Sequence, residues 1–427
     1  MRRPRRDFQR PSPARPELRE LEILRVGAQG DGVADGPVHV PFTLPGERVR
    51  ARVHAGRGEL AEVLGSSPER QPPPCPHFTA CGGCALQHWT APAYLAWKAE
   101  LVRAALAREG LETEVLKPLA CRPASRRRLA LHARPGAPDR ARLGYKARGS
   151  WRLVDIEVCP IADPRLVQAF AALARLAAPF LEHPRSAPTL HVTLTDSGLD
   201  IDVTGVERRT GGLSADARLQ AAEAAEAAGF ARVTLAGEIV FQARRPVVRL
   251  GPAVVSLPPG AFLQATAEAE AAMAAFVVDA AAGAERVADL FCGVGTFSFR
   301  LAERARVLAV DASAEAVAAM AAAAGAAPGL KPIAAEARDL YRRPVLAQEL
   351  KAIQAVVFDP PRAGAAAQAA QIASSNAARA IGVSCNPATF ARDARILIDG
   401  GFRLERVLPV DQFLWSPHVE LVGVFGR

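Results

Sequence analysis

The chain has 427 residues, which at roughly 150 residues per domain is room for two or three domains and several buried cores. Lys and Arg number 53 against 44 Asp and Glu, so the formal charge is +9; that points to a polyanionic partner or to a basic tail. Half the residues are hydrophobic and 23% are charged, which excludes wholesale disorder, and no uncharged apolar run approaches the roughly 18–20 residues of a membrane span. Seven cysteines in a long chain do not suit a secreted disulfide framework. A cytoplasmic location is expected, with some thiols serving as ligands or nucleophiles.

Residues 1–16 carry six Arg and one Asp with no apolar stretch behind them, and read as a disordered basic arm rather than a secretory signal. Residues 17–66 read as short strands, Leu21–Val26, Val38–Pro41, Arg48–Val53 and Leu60–Leu64, with turns at Gly30-Asp31-Gly32 and Pro45-Gly46. So many short strands in so few residues suggest a small β-barrel of the oligonucleotide-binding type. Pro72-Pro73-Pro74 forms a hinge into a region of 67–260. That region begins with three cysteines and a helix from about Ala91 to Glu109. It continues with hairpins around Asp196-Ser197-Gly198 and Gly251-Pro252 and amphipathic helices over Arg165–Leu181 and Ser214–Ala228, an α+β pattern.

From 261 to 427 apolar strands, Arg286–Leu290, Arg306–Val310, Ala355–Phe358 and Ala380–Ser384, alternate with helix-period segments. This is the pattern of an α/β, doubly wound parallel sheet. Leu404–Val410 and Val419–Phe425 are joined too briefly for a helical crossover, so they are expected to pair antiparallel. A parallel sheet closed this way is the plan of class I methyltransferases.

The turn Asp289-Leu290-Phe291-Cys292-Gly293-Val294-Gly295-Thr296 follows the first of these strands. Its glycines let the backbone turn sharply against a ligand, and Thr296 is placed to cap the next helix. Asp311 ends the second strand, where a carboxylate accepts hydrogen bonds from ribose hydroxyls. A glycine turn plus this acid, without a phosphate-binding Lys, favours S-adenosylmethionine. Asp359-Pro360-Pro361-Arg362 stiffens another loop at the same sheet edge, a motif that recurs where nucleic-acid methyltransferases hold the base being modified.

Cys385, in Ser384-Cys385-Asn386-Pro387, sits at a strand tip facing the same crevice. Uracil C5 is a poor nucleophile, but a thiolate added at C6 makes C5 enolate-like, so that attack on a sulfonium methyl becomes feasible. A base must then remove the C5 proton before the thiol can leave. Glu420 opens the last strand near that edge and is the candidate base, Asp359 orients the substrate base, and His418 is a rival base. Cys75, Cys81 and Cys84 are spaced six and three apart with Gly82-Gly83 between the last two. Spacing alone leaves zinc and an iron–sulfur cluster open, with Cys121, Cys159, His77 and His88 as possible fourth ligands.

Taken in order, these motifs, with Phe262-Leu263-Gln264 and Asp411–Glu420, resemble the RNA uracil-C5 methyltransferase family, in its bacterial 23S ribosomal RNA branch, over residues 19–427. The resemblance implies a TRAM-type N-terminal barrel, Cys385 as nucleophile and Glu420 as general base. It implies S-adenosylmethionine contacts from Gln264, Phe291, Thr296, Asp311 and Asp359, and a [4Fe–4S] cluster on Cys75, Cys81, Cys84 and Cys159. Thr296 stands where the family usually has Asn, and Leu414-Trp415 replaces the common Pro-His.

The expected partner is 23S rRNA, bound by a monomer away from membranes. The basic arm, the barrel and the Arg126–Arg128 run would meet phosphates, and Phe262 would offer a stacking face to a displaced base. The alternatives are a tRNA uracil-C5 methyltransferase and a noncatalytic RNA binder in ribosome assembly, which would have no use for Cys385 and Glu420.

Overall fold

The computed structural model describes residues 16–137, 139–207 and 212–427, so all but the last residue of the expected basic arm lies outside it. The chain folds as two compact units, one of residues up to Pro72 together with Ala85–Ala93, the other of Pro73–Cys84 and Tyr94–Arg427.

In the first unit, five strands close into a barrel: Glu17–Val26, Asp31–Ala34, Val38–Pro41, Arg48–His54 and Arg57–Gly65. Its core is Ile23, Val40, Val49 and Ala51, all but fully buried. The second strand falls where the residues suggest a turn. Its four residues are all buried, and at Gly32 a Cβ would stand 2.0 Å from Thr43 Oγ1, so only glycine lets the chain pass. Glu47, fully buried, receives Arg70 Nε at 2.5 Å and Nη2 at 2.8 Å and the Leu44 N–H at 2.8 Å, which ties the segment after the barrel back to it.

The second unit holds two large sheets. A seven-stranded sheet contains Leu153–Asp155, Arg140–Lys146, Arg128–Ala137, Thr189–Thr195, Gly198–Thr204, Arg232–Leu235 and Glu238–Gln242, in that order. The helix expected over Arg165–Leu181 is broken in three: Pro164–Gln168, Phe170–Ala177 and a 3₁₀ turn, Pro179–Leu181. Pro179 has no N–H with which to continue the second piece.

The other sheet runs Ile333–Ala337, Arg306–Asp311, Arg286–Leu290, Ala355–Phe358, Arg379–Ser384, Glu420–Gly426, Arg403–Asp411 and Glu114–Val115, with Leu119–Ala120 also on Arg403–Asp411. Glu420–Gly426 is antiparallel to both its neighbours; the other pairings are parallel. Ile333–Ala337, at the edge, has no strong sequence pattern because it is only half-buried or exposed.

Successive strand residues feed two cores. Ala355 and Val357 face the helices Ala267–Ala280, Ser298–Ala302 and Ala314–Ala326. Val356 and Phe358 face Ala91–Arg108, Ala366–Ala373 and Pro387–Asp399. Burial on both faces makes these strands continuously apolar, and parallel pairing requires the helical crossovers. Among the described residues no helix is long and apolar enough to cross a membrane.

Candidate active site

Register alone brings the chemistry to one edge of this sheet. Leu290 pairs with Val310 and with Phe358, so Phe291, Asp311 and Asp359 leave the sheet side by side. Ser384 pairs with Leu421 and Val410 with Glu420, so Cys385 emerges beside Glu420. The antiparallel last strand is what allows this, because its first residue lies at the edge where the parallel strands end.

Two amides join the groups. Gln264 donates from Nε2 to Asp359 Oδ2 at 3.2 Å. Gln412 donates from Nε2 to Gln264 Oε1 at 2.8 Å and to Glu420 Oε2 at 2.7 Å, and its Oε1 accepts the Ala265 N–H at 2.9 Å. Gln264, Gln412 and Glu420 are each no more than 3% exposed. Burial, and then the charge of Asp289, push the Asp359 carboxyl up to about 7 against the pull of Gln264. Burial, and then Asp359, hold Glu420 well above the carboxylate range, with Gln412 opposing. Burial, and then the charges of Glu420 and Asp359, push the Cys385 thiol up to about 11, and Arg362 works the other way. His418 is exposed, and some burial with the positive charges of Arg362, Lys98 and Arg126 holds it below its ordinary range.

The loop that carries Gln412 is anchored by a buried charge pair. Lys98 and Asp411, both with fully buried side chains, meet at 3.0 Å, and Lys98 also donates to the His418 carbonyl. Tyr94 donates to Asp411 Oδ1 at 2.9 Å and accepts the Trp415 N–H at 2.9 Å. Removing one partner of such a pair costs about 3–5 kcal/mol, because the other charge is left uncompensated. Asn386 closes the opposite side: it caps the helix Pro387–Asp399 through the Ala388 N–H at 3.1 Å and donates to the Arg362 carbonyl at 3.1 Å, which fixes the Asp359–Arg362 loop beside Cys385.

On the cofactor side, Gly295 has φ +97°, and a Cβ there would meet the Phe299 ring at 2.5 Å. Thr296 does not cap the next helix as expected; that helix begins at Ser298 with no side-chain cap on Phe297. The first residue of that helix is instead tied to the strand end, where buried Asp289 accepts Ser298 Oγ–H at 2.5 Å. Its Oδ1 has no hydrogen-bond partner among the described residues. Asp311 accepts the Gly293 N–H at 2.9 Å and the Ser313 N–H at 2.8 Å. Phe291 lies with its ring 5.7 Å from that of Tyr341. This acidic turn, with an unpartnered carboxylate oxygen on Asp289 and Asp311 at the end of the next strand, fits a cationic nucleoside such as S-adenosylmethionine.

The cysteines expected to hold a cluster do not close on one point. Among the described residues no group of three or more His, Cys, Asp or Glu side chains could hold a single metal ion. They are nevertheless neighbours: burial raises the Cys159 thiol, and Cys75 and Cys81 raise it further. The Gly83 N–H points at Cys81 Sγ at 3.4 Å. Cys121 is buried against Thr266 Oγ1 at 3.5 Å, and Cys292 belongs to a core.

The arginine run is not spread on the surface for phosphates as expected. Arg127 bonds the Gln264 carbonyl and the buried Glu270, and Arg128 bonds the Leu263 carbonyl at 2.7 Å, so both brace the segment that carries Gln264. Phe262, 65% exposed, is not core. Sequence reasoning missed Gln412, Lys98 and Tyr94. The one available signal was a Lys on the apolar stripe of a helix, four residues after Tyr94 and four before Val102, all three buried.

The sheet order and the cofactor cradle define a class I, S-adenosylmethionine-dependent methyltransferase. Residues 253–426 match the model of the tRNA (Uracil-5-)-methyltransferase family. Over 96% of its length the chain is 64% identical to an RNA methyltransferase of Caulobacter vibrioides, covering all of that protein. It is 35% identical to a 23S rRNA (uracil(1939)-C(5))-methyltransferase of Chromohalobacter salexigens, over 95% of this chain and 89% of the relative. A solved structure of Pyrococcus abyssi tRNA (uracil-54, C5)-methyltransferase with S-adenosyl-L-homocysteine superposes with a TM-score of 0.70 at 23% identity, over 95% and 99% of the two chains. The chain belongs to the RNA uracil-C5 methyltransferase family.

Two outcomes test this electrostatic reading. Burial lifts the Asp289 carboxyl from an ordinary 3.8 to about 7, so it binds its proton more tightly folded than unfolded. The resulting stability is full below 3.8 and is lost as pH rises towards 7. The thermal midpoint of ligand-free protein should therefore fall over that window, and Asp289→Asn should flatten the slope; equal slopes would rule the carboxyl out. Gln412→Leu orphans acceptors on Gln264 and Glu420, and should cost about 1–3 kcal/mol for each in denaturant unfolding.

Proposed function

We propose that this protein transfers the methyl group of S-adenosylmethionine to C5 of one uridine in 23S rRNA, through a transient bond between Cys385 and C6 of the base. The observation that carries the reading is the pairing of Ser384 with Leu421, which sets Cys385 next to Glu420 at the edge where Asp359 also ends its strand. The choice of 23S rRNA rests on the relative so named, which matches over almost the whole chain.

Gln264, Phe291, Thr296, Asp311 and Asp359 hold S-adenosylmethionine in this reading, and it supplies an electrophilic methyl when bound. Cys385 loses its proton to solvent and adds to C6 as thiolate, so that the C5=C6 electron pair moves towards C5 and the O4 carbonyl. C5 would bond the methyl carbon as its bond to the sulfonium sulfur breaks, leaving S-adenosylhomocysteine. Glu420 then takes the C5 proton, the C5=C6 bond re-forms and the thiolate leaves. A carboxyl held above its usual range is a stronger base than an ordinary one, which suits a carbon acid. Glu420 is preferred to the exposed His418 because it is Glu420 whose charge bears on Cys385.

The rest of the chain serves RNA. The barrel, assigned as a TRAM-type module of 17–66, would bind RNA together with the basic arm, and the region of 67–260 would carry a [4Fe–4S] cluster on Cys75, Cys81, Cys84 and Cys159. The donor set is thiols alone, with N–H groups aimed at sulfur, and four irons separate their ligands more widely than one ion does. We assign the cluster a structural task and the protein a monomeric, cytoplasmic form.

Two experiments decide between these assignments and their rivals. Glu420→Gln mixed with RNA and S-adenosylmethionine should accumulate a denaturant-resistant protein–RNA band, and Cys385→Ala should yield none while both lose turnover. Normal methylation by Cys385→Ala overturns the nucleophile, and mapping of 5-methyluridine to tRNA alone overturns the 23S assignment. Anaerobically purified protein should hold about four irons per chain. Stoichiometric zinc without iron would count against the cluster.

A further inference from the structure

The seven-stranded sheet has one face that no step above uses. Its apolar face, with Leu131, Leu190, Val192, Ile201 and Val203 fully buried, packs on the helices Phe170–Ala177 and Ala215–Ala227. Side chains alternate along a strand, so the register identifies the other face. His132 pairs with Gly144 and Thr189, His191 with Asp202, and Thr193 with both Arg128 and Asp200, which puts all of them on one side with Lys146. Arg134 and Arg142 pair on this side too, so the face is polar and basic on balance.

An exposed ring stands at each end. Trp151 is 78% exposed, and the Lys146 ammonium lies 3.9 Å from its centroid. Phe262 is 65% exposed, with the Arg128 guanidinium 5.1 Å from its centroid. Beside Phe262 the face dips into a cavity of about 190 Å³ lined by Arg128, His191, Thr193, Asp200, Asp202 and Gly260–Ala261. That is below the roughly 300–1,000 Å³ of pockets for drug-sized ligands, and suits one planar base. Arg232 holds Asp200 through two bonds of 2.8 Å, and Asp202 accepts Thr234 Oγ1 at 2.6 Å, so the floor is rigid. With Asp200 taken up by Arg232, the Asp202 carboxylate is the group that repels phosphate and accepts from the N–H edge of a base.

We infer that this polar face is a track for single-stranded RNA, with bases stacked on Trp151 and Phe262 and one base edge read in the cavity between Arg128 and Asp202. It rests on the reading of the protein as an RNA methyltransferase. Rings paired with cations and set along a basic surface are what sequence-tolerant stacking of single strands requires. Phe262 stands two residues before Gln264, so the track ends at the crevice. The cysteine loop supports the far end. Gly82 N–H donates to the Lys146 carbonyl at 3.0 Å, and a Cβ on Gly82 would stand 2.7 Å from that oxygen. The loop between Cys81 and Cys84 thus packs directly under the turn that bears Trp151, which gives the thiols a task without redox chemistry.

The test is fluorescence anisotropy of the full chain with a labelled, unstructured RNA oligonucleotide, free or annealed to its complement. Base–aromatic stacking is worth roughly 1–3 kcal/mol, so Trp151→Ala should weaken binding of the single strand by about 5- to 150-fold. Trp151→Phe should restore it, and affinity for the duplex and for S-adenosylhomocysteine should not change. Single-strand binding unaffected by Trp151→Ala, or lost equally for both RNAs, overturns the track. Wild-type protein that shows the Trp151 dependence yet forms no 5-methyluridine in any RNA keeps the track and defeats the methylation reading. Wild type that methylates while Trp151→Ala binds normally defeats the track alone.

Discussion

Three carboxylates, Asp289 and Glu420 buried and Asp359 half-buried, stand along one sheet edge, and the structure gives them few cations. Each raises the cost of ionising the next, and a fully charged set in a dry crevice is not sustainable without a positive guest. A sulfonium nucleoside is such a guest. The ligand-free site is therefore held partly protonated, with its thiol up at about 11, and it waits for positive charge. In the proposed reaction, a cationic guest that offsets Asp359 would also ease ionisation of Cys385.

The hydrogen bonds follow from that constraint. A fixed arginine among the acids would pair with them and compete with the cofactor. Amides orient a carboxylate without neutralising it, which is what Gln264 and Gln412 do. Full positive charge is kept one layer back, where Lys98 meets Asp411 and clamps both ends of the loop that leads to Glu420. Arg127 does the same under Gln264 by pairing with Glu270. The site is soft electrostatically and stiff mechanically.

The two groups of cysteine divide along the same line. Cys385 stands at a strand tip among carboxylates, where its protonation answers to what binds. Cys75, Cys81, Cys84 and Cys159 sit beside the polar sheet, where a loop too tight for any side chain at Gly82 presses on a strand end. More than half of the net charge of +9 lies in residues 1–16, with their six Arg and one Asp. Several arginines elsewhere are engaged internally, as Arg70, Arg127, Arg128 and Arg232 make clear, which is why a basic pI is a weak guide to the surface RNA would meet.

The residues by themselves determined what is local. Strand bounds such as Arg286–Leu290 and Ala355–Phe358 follow from apolar runs buried on both faces, and the edge positions of Asp311, Asp359, Cys385 and Glu420 follow from where those runs stop. The brief link before Glu420 dictated an antiparallel last strand. Tertiary structure decided whatever needs a partner far along the chain. Asp31–Ala34 is a strand because Thr43 and Ile23 close over Gly32, not because its residues favour one. Gln412 meets Gln264 across 148 positions and Tyr94 meets Asp411 across 317, and hydrophobic period carries no record of such pairs. A run of arginines reads the same in sequence whether it faces solvent or a buried glutamate. The choice is made by which backbone carbonyls and carboxylates the folded chain brings within reach, because a buried charge must find its partner or not be buried at all.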